Sequence, residues 1–397
     1  MTRDHPRVVI VSATPIDGEW ATSQLMTSLF AGWPKDRLSQ VVLARDGVAA
    51  ASQPIRTLTV ALDGNRNPVS VAQQMRAATN FCRDVGADVV YFRSAGWPLA
   101  FEALPLWLTR RTDLRLVTHL MDDWPARLAR TRPAVAKAAV RLLHLTLRAS
   151  HECLAISPAM ADHFEAATGR SFRVAHNGVE VGGVAAAGGE IDTNAGIFTP
   201  SDPQRILYSG SAATDQSAAA LDDAVRATEL LVERGHRVQL DLALSPRHAD
   251  DMRRRIAGST AVRVLDHVDR GEYLQRLRSA DVLLLAFNFD PTSVALLRRS
   301  MANKVGDYLG ARRPIVVYGP KELATVDAAR SGGWAHVVDR HGANRLADGL
   351  AAALSDAELQ HTLLRRSDDA AKSTFDLRVH RATLETAVRT AAARPLD

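Results

Sequence analysis

The chain has 397 residues, of which 46% are apolar and 23% charged, with a net charge of +5 and a pI near 9.5. This length is enough for two domains with cores of their own, and the composition excludes a disordered chain. The modest positive charge favours a local basic patch over a surface that coats nucleic acid, so no nucleic-acid partner is expected. The two cysteines, Cys82 and Cys153, show no disulfide or zinc spacing. No stretch reaches the ~18 apolar residues of a membrane span, and we expect a cytoplasmic protein.

Short runs rich in Val, Ile and Leu alternate with amphipathic stretches of helical length along the whole chain. Such runs are typical of buried parallel strands. In the first half, strands are predicted at Val8–Ser12, Gln40–Ala44, Arg56–Val60, Asp88–Arg93, Leu116–His119, Glu152–Ile156 and Phe172–His176. Helices are predicted at Ala21–Ala31, Ser70–Val85, Pro133–Ala149 and Ala159–Thr168. The last of these has Ser157 as its N-cap, Pro158 at the first helical position and Gly169 after its end.

The composition changes at Gly182–Pro203, which is rich in Gly, Ala, Ser, Thr and Pro and has little hydrophobic periodicity. We interpret this stretch as a linker between domains. Strands are predicted again at Arg205–Ser209, Val238–Ala243, Val262–Leu265, Val282–Phe287, Ile315–Tyr318 and Ala335–Val338. Ser245-Pro246 predicts a further helix start, and Leu377–Ala393 is predicted to be helical. The sequence therefore predicts two doubly wound α/β domains, residues 1–181 and 205–376, with a linker at 182–204 and a C-terminal helix at 377–397.

Ligands of doubly wound sheets bind at the carboxyl ends of the strands, so residues that follow strands are the candidates for a site. The first such loop contains Asp17, Gly18 and Trp20, which could contact a polar acceptor or belong to an ordinary βα loop. It lacks G-x-G-x-x-G, and the chain has no Walker lysine motif. These absences argue against a dinucleotide fingerprint and a P-loop ATPase.

A second candidate loop follows the strand that ends at His119, and it contains Asp122, Asp123 and Trp124 before Pro125. An aromatic ring beside two carboxylates suits a sugar, because the ring stacks on the apolar face and the carboxylates accept from hydroxyls. His119 could act as a donor or base, or it could be a structural histidine. One of the two aspartates could instead cap the next helix. The pair could also bind a divalent metal, but nothing nearby completes a ligand set, and no metal is expected.

The helix predicted at Pro133–Ala149 carries a basic face. Helical spacing places together Lys137, Arg141, His144 and Arg148, and it places near one apolar stripe Val135, Ala138, Leu142 and Leu145. The basic face could dock on an anionic membrane surface, bind a phosphorylated acceptor, or be solvated. Docking would place the protein peripherally at the inner face of the membrane.

The segment Ser300–Pro320 predicts a loop, a helix, a short turn and a buried strand. Lys304 adjoins the start of this helix, where backbone amides are free, and such a position binds phosphate. The amides in question belong to Ser300, Met301, Ala302 and Asn303. Asp307, one turn further, could hold vicinal hydroxyls such as those of a ribose. Three residues that follow other strands of this domain would lie at the same edge, namely Gly210, Ser211 and Val268.

Taken together, these stretches resemble the GT-B glycosyltransferases, and within them the family-four retaining enzymes. The resemblance covers most of the chain and rests on Met121–Pro125, Ile156–Met160 with Gly169, Val174–Gly178, Ser279–Val282, Lys304–Leu309 and Arg313–Pro320. It implies two Rossmann-like domains facing across a cleft, with the C-terminal helix crossing back to the first domain. It also implies a nucleotide-sugar donor on the second domain, an acceptor on the first, retention of anomeric configuration, and no metal or other cofactor.

The chain departs from the family at two places. Family members usually have two glutamates eight residues apart before the proline-bearing strand, and here Arg299 and Asp307 occupy those positions. An Arg and a Lys often grip the diphosphate after the first strand of the second domain, but Ser211–Gln216 contains no cation. The diphosphate charge would then fall to helix amides, Lys304 and Arg299.

We therefore expect a metal-independent, retaining glycosyltransferase that moves a sugar from a nucleoside-diphosphate sugar, UDP-linked, to a hydroxyl acceptor. The acceptor could be lipid-linked or phosphorylated. His119, Asp122 and Lys304 are the expected catalytic residues. Two alternatives remain open: a degenerate GT-B protein that binds a nucleotide or a partner without transfer, and a nucleotide-sugar epimerase.

Overall fold

A computed structural model describes residues 5–16, 21–44, 55–62, 67–180 and 200–395. Contacts between residues divide the chain into two units. The first unit comprises residues 1–177 together with 377–397, and the second comprises residues 178–376. Most of the predicted linker, residues 182–199, lies outside the described residues, as does residue 181.

The first unit contains a sheet of seven parallel strands in the order β3-β2-β1-β4-β5-β6-β7. The strands are β1 (Val8–Ser12), β2 (Leu38–Leu43), β3 (Arg56–Val60), β4 (Val89–Arg93), β5 (Arg115–Leu120), β6 (Glu152–Ala155) and β7 (Phe172–Val174). The helices are α1 (Ala21–Leu29), α2 (Pro68–Asp84), α3 (Leu99–Arg111), α4 (Trp124–Thr131), α5 (Pro133–Ala149) and α6 (Pro158–Thr168). The winding direction reverses between β1 and β4.

The second unit contains six parallel strands in the order β10-β9-β8-β11-β12-β13. The strands are β8 (Gln204–Gly210), β9 (Val238–Leu244), β10 (Val262–Leu265), β11 (Val282–Ala286), β12 (Ile315–Tyr318) and β13 (His336–Val338). The helices are α7 (Ala218–Glu233), α8 (Pro246–Arg255), α9 (Arg270–Ser279), α10 (Pro291–Leu297), α11 (Val305–Ala311), α12 (Ala324–Gly332), α13 (Ala343–Ser355) and α14 (Ala357–Lys372). Here the winding reverses between β8 and β11. The predicted doubly wound α/β class is confirmed in both units, and the predicted strands are present with ends shifted by at most two residues.

Capping residues define several helix ends as the sequence predicts. The Ser157 hydroxyl accepts a hydrogen bond from the Met160 amide at 3.1 Å, and Pro158 begins α6. Gly169 ends this helix with φ of 69°, a left-handed conformation that costs glycine little. Pro246 begins α8 as predicted, although the Ser245 hydroxyl bonds to His248 Nδ1 rather than to a helix amide.

The strands are buried because helices cover them, and the apolar runs form the cores. Every residue of β1, β2 and β4 is buried, as is every residue of β11 and β12 in the second unit. Burial of this kind is the main favourable term in folding, at about 25 cal/mol per Å² of apolar surface. The rigid sheets fix where each strand ends, and the strand ends position the polar residues discussed below.

The last helix, α15 (Leu377–Ala393), belongs to the first unit, as the resemblance implies. Its buried residues include Leu384, Val388 and Ala391, and it packs against β5 and β6. The buried Arg115 guanidinium donates from Nε and Nη2 to the Arg394 carbonyl, at 2.9 and 2.6 Å. A cation at this end also suits the negative end of the helix dipole.

The apolar stripe predicted for α5 is wrong. The helix buries a neighbouring stripe that contains Ala136, Ala139, Leu143 and Leu147, whereas Leu145 is 52% exposed. Both stripes have helical spacing, and contacts with α3 and α4 determine which one faces inward. Leu145 therefore lies exposed beside the basic face of this helix.

Candidate functional site

The side chain of Lys304 lies at the carboxyl end of β8, beside the position where the second sheet reverses its winding. Its Nζ donates to the Ser209 carbonyl at 2.5 Å and lies 4.5 Å from the centre of the Tyr208 ring. An ammonium has three N–H donors, so two remain for a ligand. Reversal points of this kind are where doubly wound sheets bind ligands.

Gly210, the last residue of β8, is required for this arrangement. Its φ is +141°, which side-chain-bearing residues rarely adopt, and a Cβ there would overlap Lys304 Nζ. The sequence analysis placed both residues at one edge, and the structure brings them into direct contact. The glycine therefore lets the lysine ammonium approach the strand backbone.

We predicted that the backbone amides before α11 are free, and this prediction is wrong for two of the four amides. The Ser300 amide donates to the Leu297 carbonyl and the Ala302 amide donates to Thr325 Oγ1, both at 3.0 Å. For Ser300 the reason is that α10 ends at Leu297, so the turn that follows closes on its last carbonyl, whereas Ala302 finds a hydroxyl of the distant Thr325. Met301 is buried, Asn303 is half-buried, and α11 has only seven residues. Lys304 is therefore the principal charge available at this position.

Asp307, the predicted ribose ligand, is already paired. Arg270, at the start of α9, donates to both carboxylate oxygens, with Nη1 to Oδ2 at 2.8 Å and Nη2 to Oδ1 at 2.5 Å. The Tyr273 hydroxyl donates to Oδ2 at 3.4 Å. The hydrogen bonds to Asp307 raise the pKa of Arg270, which stays charged. Sequence reasoning missed Arg270 and Tyr273, although both closely follow the singled-out Val268.

The remaining predicted donor residues have varied surroundings. The Ser211 hydroxyl accepts from the Ala213 amide at 3.1 Å, and the Ser211 carbonyl accepts from the Tyr208 and Ser217 hydroxyls, each at 2.6 Å. Val268 is half-buried between β10 and α9. Arg299 is half-buried between α10 and α11. Ser211 thus shapes the turn after β8, and its hydroxyl is already engaged.

In the first unit, an ion pair lies at the carboxyl ends of β4 and β5. Arg93, the last residue of β4, is opposite His119 in the sheet register. Its Nη2 donates to Asp122 Oδ2 at 2.7 Å. The Arg93 side chain is buried, whereas that of Asp122 is half exposed. Sequence reasoning found Asp122 but missed Arg93, whose signal was a charged residue at the end of an apolar run.

A buried carboxylate fixes the loop that follows Arg93. Glu102 accepts from the Ser94 hydroxyl at 2.7 Å and from the amides of Ala95 and Gly96 at 2.8 and 2.7 Å. Burial raises the pKa of Glu102, and these hydrogen bonds oppose the rise. Because buried polar groups are costly unless bonded, this network holds the loop in a single conformation.

His119 is fully buried, and both ring nitrogens are bonded inside the unit. Nδ1 lies 2.6 Å from the Tyr91 hydroxyl and Nε2 lies 3.0 Å from the Ala175 carbonyl. Burial lowers the pKa of His119 to about 3, so the ring is neutral at physiological pH. His119 therefore cannot contact a substrate in this structure, and the prediction that it is catalytic is wrong. The sequence shows that His119 ends a strand, but it does not show that β6 and the chain after β7 bury the ring.

Trp124 is a core residue rather than an exposed platform for a sugar, so that prediction is corrected. It is buried, its Nε1 donates to Ser94 Oγ at 2.8 Å, and its ring packs where a Cβ of Gly96 would overlap it. Asp123 is also buried and occupies the N-cap position of α4, without a side-chain bond to a helix amide. The apolar side of the loop faces the core because the loop turns directly into α4.

Three predicted acceptor residues, Asp17, Gly18 and Trp20, lie outside the described residues. In the part of the chain that is described, no group of three or more His, Cys, Asp or Glu side chains could hold a metal ion. Within the same ranges, none of the helices is long and apolar enough to cross a membrane.

Solved structures share this fold over nearly the whole chain. A glycosyltransferase from Rickettsia africae is 10% identical with a TM-score of 0.68, covering 99% of this chain and 100% of that one. A UDP-forming α,α-trehalose-phosphate synthase from Burkholderia vietnamiensis is 14% identical with a TM-score of 0.64, covering 97% and 100%. Anabaena Alr3699/HepE in complex with UDP is 12% identical with a TM-score of 0.67, covering 97% and 100%. No protein-family model matches the chain, and no curated protein matches it in sequence.

These likenesses establish the fold, which is the two-domain GT-B fold of glycosyltransferases. At such low identity they do not by themselves assign an activity, because one fold hosts many functions. An activity depends on the residues at the strand ends, where ligands of such folds bind.

The buried state of His119 predicts a dependence of stability on acid. The unfolded chain binds a proton at this histidine near its usual pKa of 6.5, whereas the folded protein does so only near pH 3. Stability from this group is therefore complete above pH 6.5 and is lost as the pH falls toward 3. Between pH 7 and pH 5 the loss is about 2 kcal/mol.

The variant His119→Asn should be less stable than the wild type at pH 7 but should lose less stability on going to pH 5. Urea denaturation followed by tryptophan fluorescence at the two pH values measures the difference. His163→Asn, which removes an exposed histidine of α6, is the control. An unchanged pH dependence in His119→Asn would contradict the buried, neutral assignment.

Proposed function

We propose that this protein is a glycosyltransferase that moves a sugar from a nucleoside-diphosphate sugar, UDP-linked, to a hydroxyl acceptor. The observation that carries the proposal is the Lys304 ammonium at the carboxyl end of β8, held above Gly210. The fold supports it, since the structural neighbours include a UDP-forming synthase and a protein in complex with UDP.

Lys304 would stabilise the negative charge that grows on the leaving diphosphate. In this structure one of its donors is held by the Ser209 carbonyl, which positions the ammonium without neutralising it. A preorganised donor aimed at developing charge contributes roughly 3–4 kcal/mol when it is removed by mutation. The amides of Ser300 and Ala302 are occupied, so they do not share this role.

The chemistry of the proposal needs no group beyond donor and acceptor. The acceptor oxygen forms a bond to the anomeric carbon as the bond from that carbon to the diphosphate oxygen breaks. The acceptor proton passes to the departing diphosphate, which lies on the same face of the sugar. Configuration is then retained, and no metal is required. The retaining course and the absence of a metal are carried over from the family resemblance.

Asp122 and Arg93 are the proposed acceptor contacts in the first unit. The Asp122 carboxylate is half exposed and can accept from acceptor hydroxyls. The buried Arg93 has no hydrogen-bond partner for its Nε among the described residues, and a cation so placed favours an acceptor that carries a phosphate or another anion. One structural neighbour is named as a trehalose-phosphate synthase, and trehalose phosphate is a phosphorylated sugar.

A second candidate is a nucleotide-binding protein of the same fold without transferase activity. Two observations favour it: Arg299 occupies the position of an expected carboxylate, and Asp307 is paired with Arg270. Such a protein would bind UDP but would neither transfer nor hydrolyse the sugar of any donor.

Lys304→Ala should lower sugar transfer by about two orders of magnitude while the protein stays folded, because one phosphate donor is lost. Gly210→Ala should act in the same direction, since its Cβ would displace the lysine ammonium. Gly235→Ala is the matched control, because Gly235 also has a positive φ but no atom within 4 Å of the Cβ that alanine would add. Product formation by mass spectrometry and UDP binding by calorimetry are the measurements. Near-normal turnover in Lys304→Ala would refute the assignment.

We further propose that the basic face of α5 docks on an anionic membrane surface, which would suit a lipid-linked acceptor. The exposed cations of this face are Lys137, Arg141 and Arg148, and α5 contains no acidic residue. None of the three has an ion-pair partner among the residues described. By contrast, Arg253 and Arg254 on α8 are each paired with an aspartate one turn away.

An apolar groove of about 350 Å³ adjoins this face. Leu142 and Leu145 of α5 line it together with Trp107 of α3, and Arg110 and Arg111 lie at its rim. The Arg111 guanidinium stacks over the Trp107 ring at 4.2 Å. Apolar side chains beside a cluster of cations are what an amphipathic surface presents to anionic lipid.

The double variant Arg141→Glu, Arg148→Glu should weaken binding to phosphatidylglycerol-containing vesicles by at least about tenfold, because each cation contributes about 1 kcal/mol near such a surface. Arg253→Glu, Arg254→Glu changes the net charge equally on the paired helix and should leave binding nearly intact. Vesicle co-sedimentation at physiological salt measures both. Equal effects of the two double variants, or unchanged binding, would count against docking through α5.

A further inference from the structure

The pairing of Arg270 with Asp307 has the geometry of a preorganised two-residue recognition element. Two terminal nitrogens of one guanidinium approach two oxygens of one carboxylate, at 2.8 and 2.5 Å. Asp307 is 15% exposed, whereas Arg270 is 49% exposed. The guanidinium is therefore the more accessible member of the pair, and the carboxylate is the more enclosed one.

The pair leaves several hydrogen-bonding groups available. A guanidinium has five N–H donors, of which Asp307 takes two. The other three have no acceptor in the described part of the chain. Asp307 retains accepting capacity, because two carboxylate oxygens have about four lone-pair sites and the third contact, from Tyr273, is long at 3.4 Å.

A chain of contacts links this pair to Lys304. Tyr273 lies under the Arg270 guanidinium, 5.3 Å from ring centre to carbon, and its hydroxyl contacts Asp307. Asp307 itself lies in the first turn of α11, which Lys304 precedes, and Lys304 Nζ donates to the Ser209 carbonyl. Arg270 and Lys304 are thus both held at the start of α11, Arg270 through its pairing with Asp307.

We propose that Arg270 contacts the nucleotide directly, donating to the ribose hydroxyl oxygens while Asp307 accepts from one of those hydroxyls. This inference rests on the proposed function. A lone carboxylate can only accept, whereas a ribose diol both donates and accepts. The Arg270–Asp307 pair offers both kinds of group to the diol, which makes Arg270 a specificity-determining residue of the donor site. It also places a second positive charge near a site whose first loop, Ser211–Gln216, has none.

The alternative is a purely structural ion pair that ties α9 to α11. Water screens an ion pair whose guanidinium is half exposed, so a purely structural pair here would contribute only modestly to stability. A structural pair would affect all ligands of the site alike, whereas a ribose contact affects only ligands that carry the hydroxyls. This difference makes the two roles separable by choice of ligand.

The test compares UDP with 2′,3′-dideoxy-UDP by isothermal titration calorimetry on the full-length protein. The wild type should prefer UDP by at least tenfold. Arg270→Ala should bind UDP about tenfold more weakly with little change for the dideoxy compound, so that the preference nearly disappears. Arg276→Ala, which breaks the Arg276–Glu272 pair on the same helix, is the control and should keep the wild-type preference.

Arg270→Lys keeps the charge but not the planar fork, and it should give an intermediate preference. It replaces Arg270→Ala if the alanine variant melts at a markedly lower temperature than wild type. Wild-type preference in the Arg270 variants, or equal weakening of both ligands, would overturn the assignment. If the wild type binds neither ligand nor any other nucleotide, the proposed function itself fails, which is a different result.

Discussion

The contact between Lys304 and the end of β8 is the constraint on which the account of the second unit depends. The φ of +141° at residue 210 strains any residue with a side chain, and a Cβ there would force the Lys304 ammonium to move, so this arrangement depends on glycine. The sheet fixes the position where β8 ends. Gly210 leaves space beside that end because it has no side chain, and the side chain of Lys304, from the loop before α11, fills the space. Three separate parts of the chain thus combine to place one positive charge at the strand end, where a doubly wound sheet binds its ligand.

The polar groups around this charge are already paired with one another. Lys304 is bonded to the Ser209 carbonyl, and Asp307 is bonded to Arg270 and Tyr273. Such pairing keeps each side chain in one place before a ligand arrives, which is the condition for electrostatic preorganisation. A nucleotide that binds here, as we propose, therefore uses the donors and lone pairs that these bonds leave over. The carboxylate that the sequence presented as a lone ribose ligand is in fact half of a pair.

The sequence was sufficient for the fold because its strands are buried apolar runs and its helices carry caps such as Ser157 and Gly169. It also placed Gly210 and Lys304 at one edge, since Gly210 ends a strand of this domain and Lys304 precedes a helix that leads into the next strand. It could not show that Ser300 and Ala302 lose their free amides, because that depends on where α10 ends and on Thr325, which is distant in sequence.

The prediction for His119 failed for a similar physical reason. From the sequence alone, a histidine at a strand end is expected to be exposed. In the structure the neighbouring strand and the chain after β7 bury it, and Tyr91 and Ala175 are bonded to its ring. Trp124 likewise finds its partner in Ser94, on another strand's loop. Long-range partners decide which of two equally patterned residues faces the solvent, as the two stripes of α5 also show.

The central claim is that the second unit presents a nucleotide-sugar for transfer to an acceptor. The most direct measurement is a product analysis in which the protein is incubated with a panel of nucleotide-sugars and a small-molecule and lipid extract of cells. Mass spectrometry then searches for free nucleoside diphosphate together with a compound heavier by one sugar residue. The account predicts both products with a UDP-sugar, and both should require the protein. Nucleotide binding without either product, across all donors, would contradict the account and favour a binding protein on the same fold.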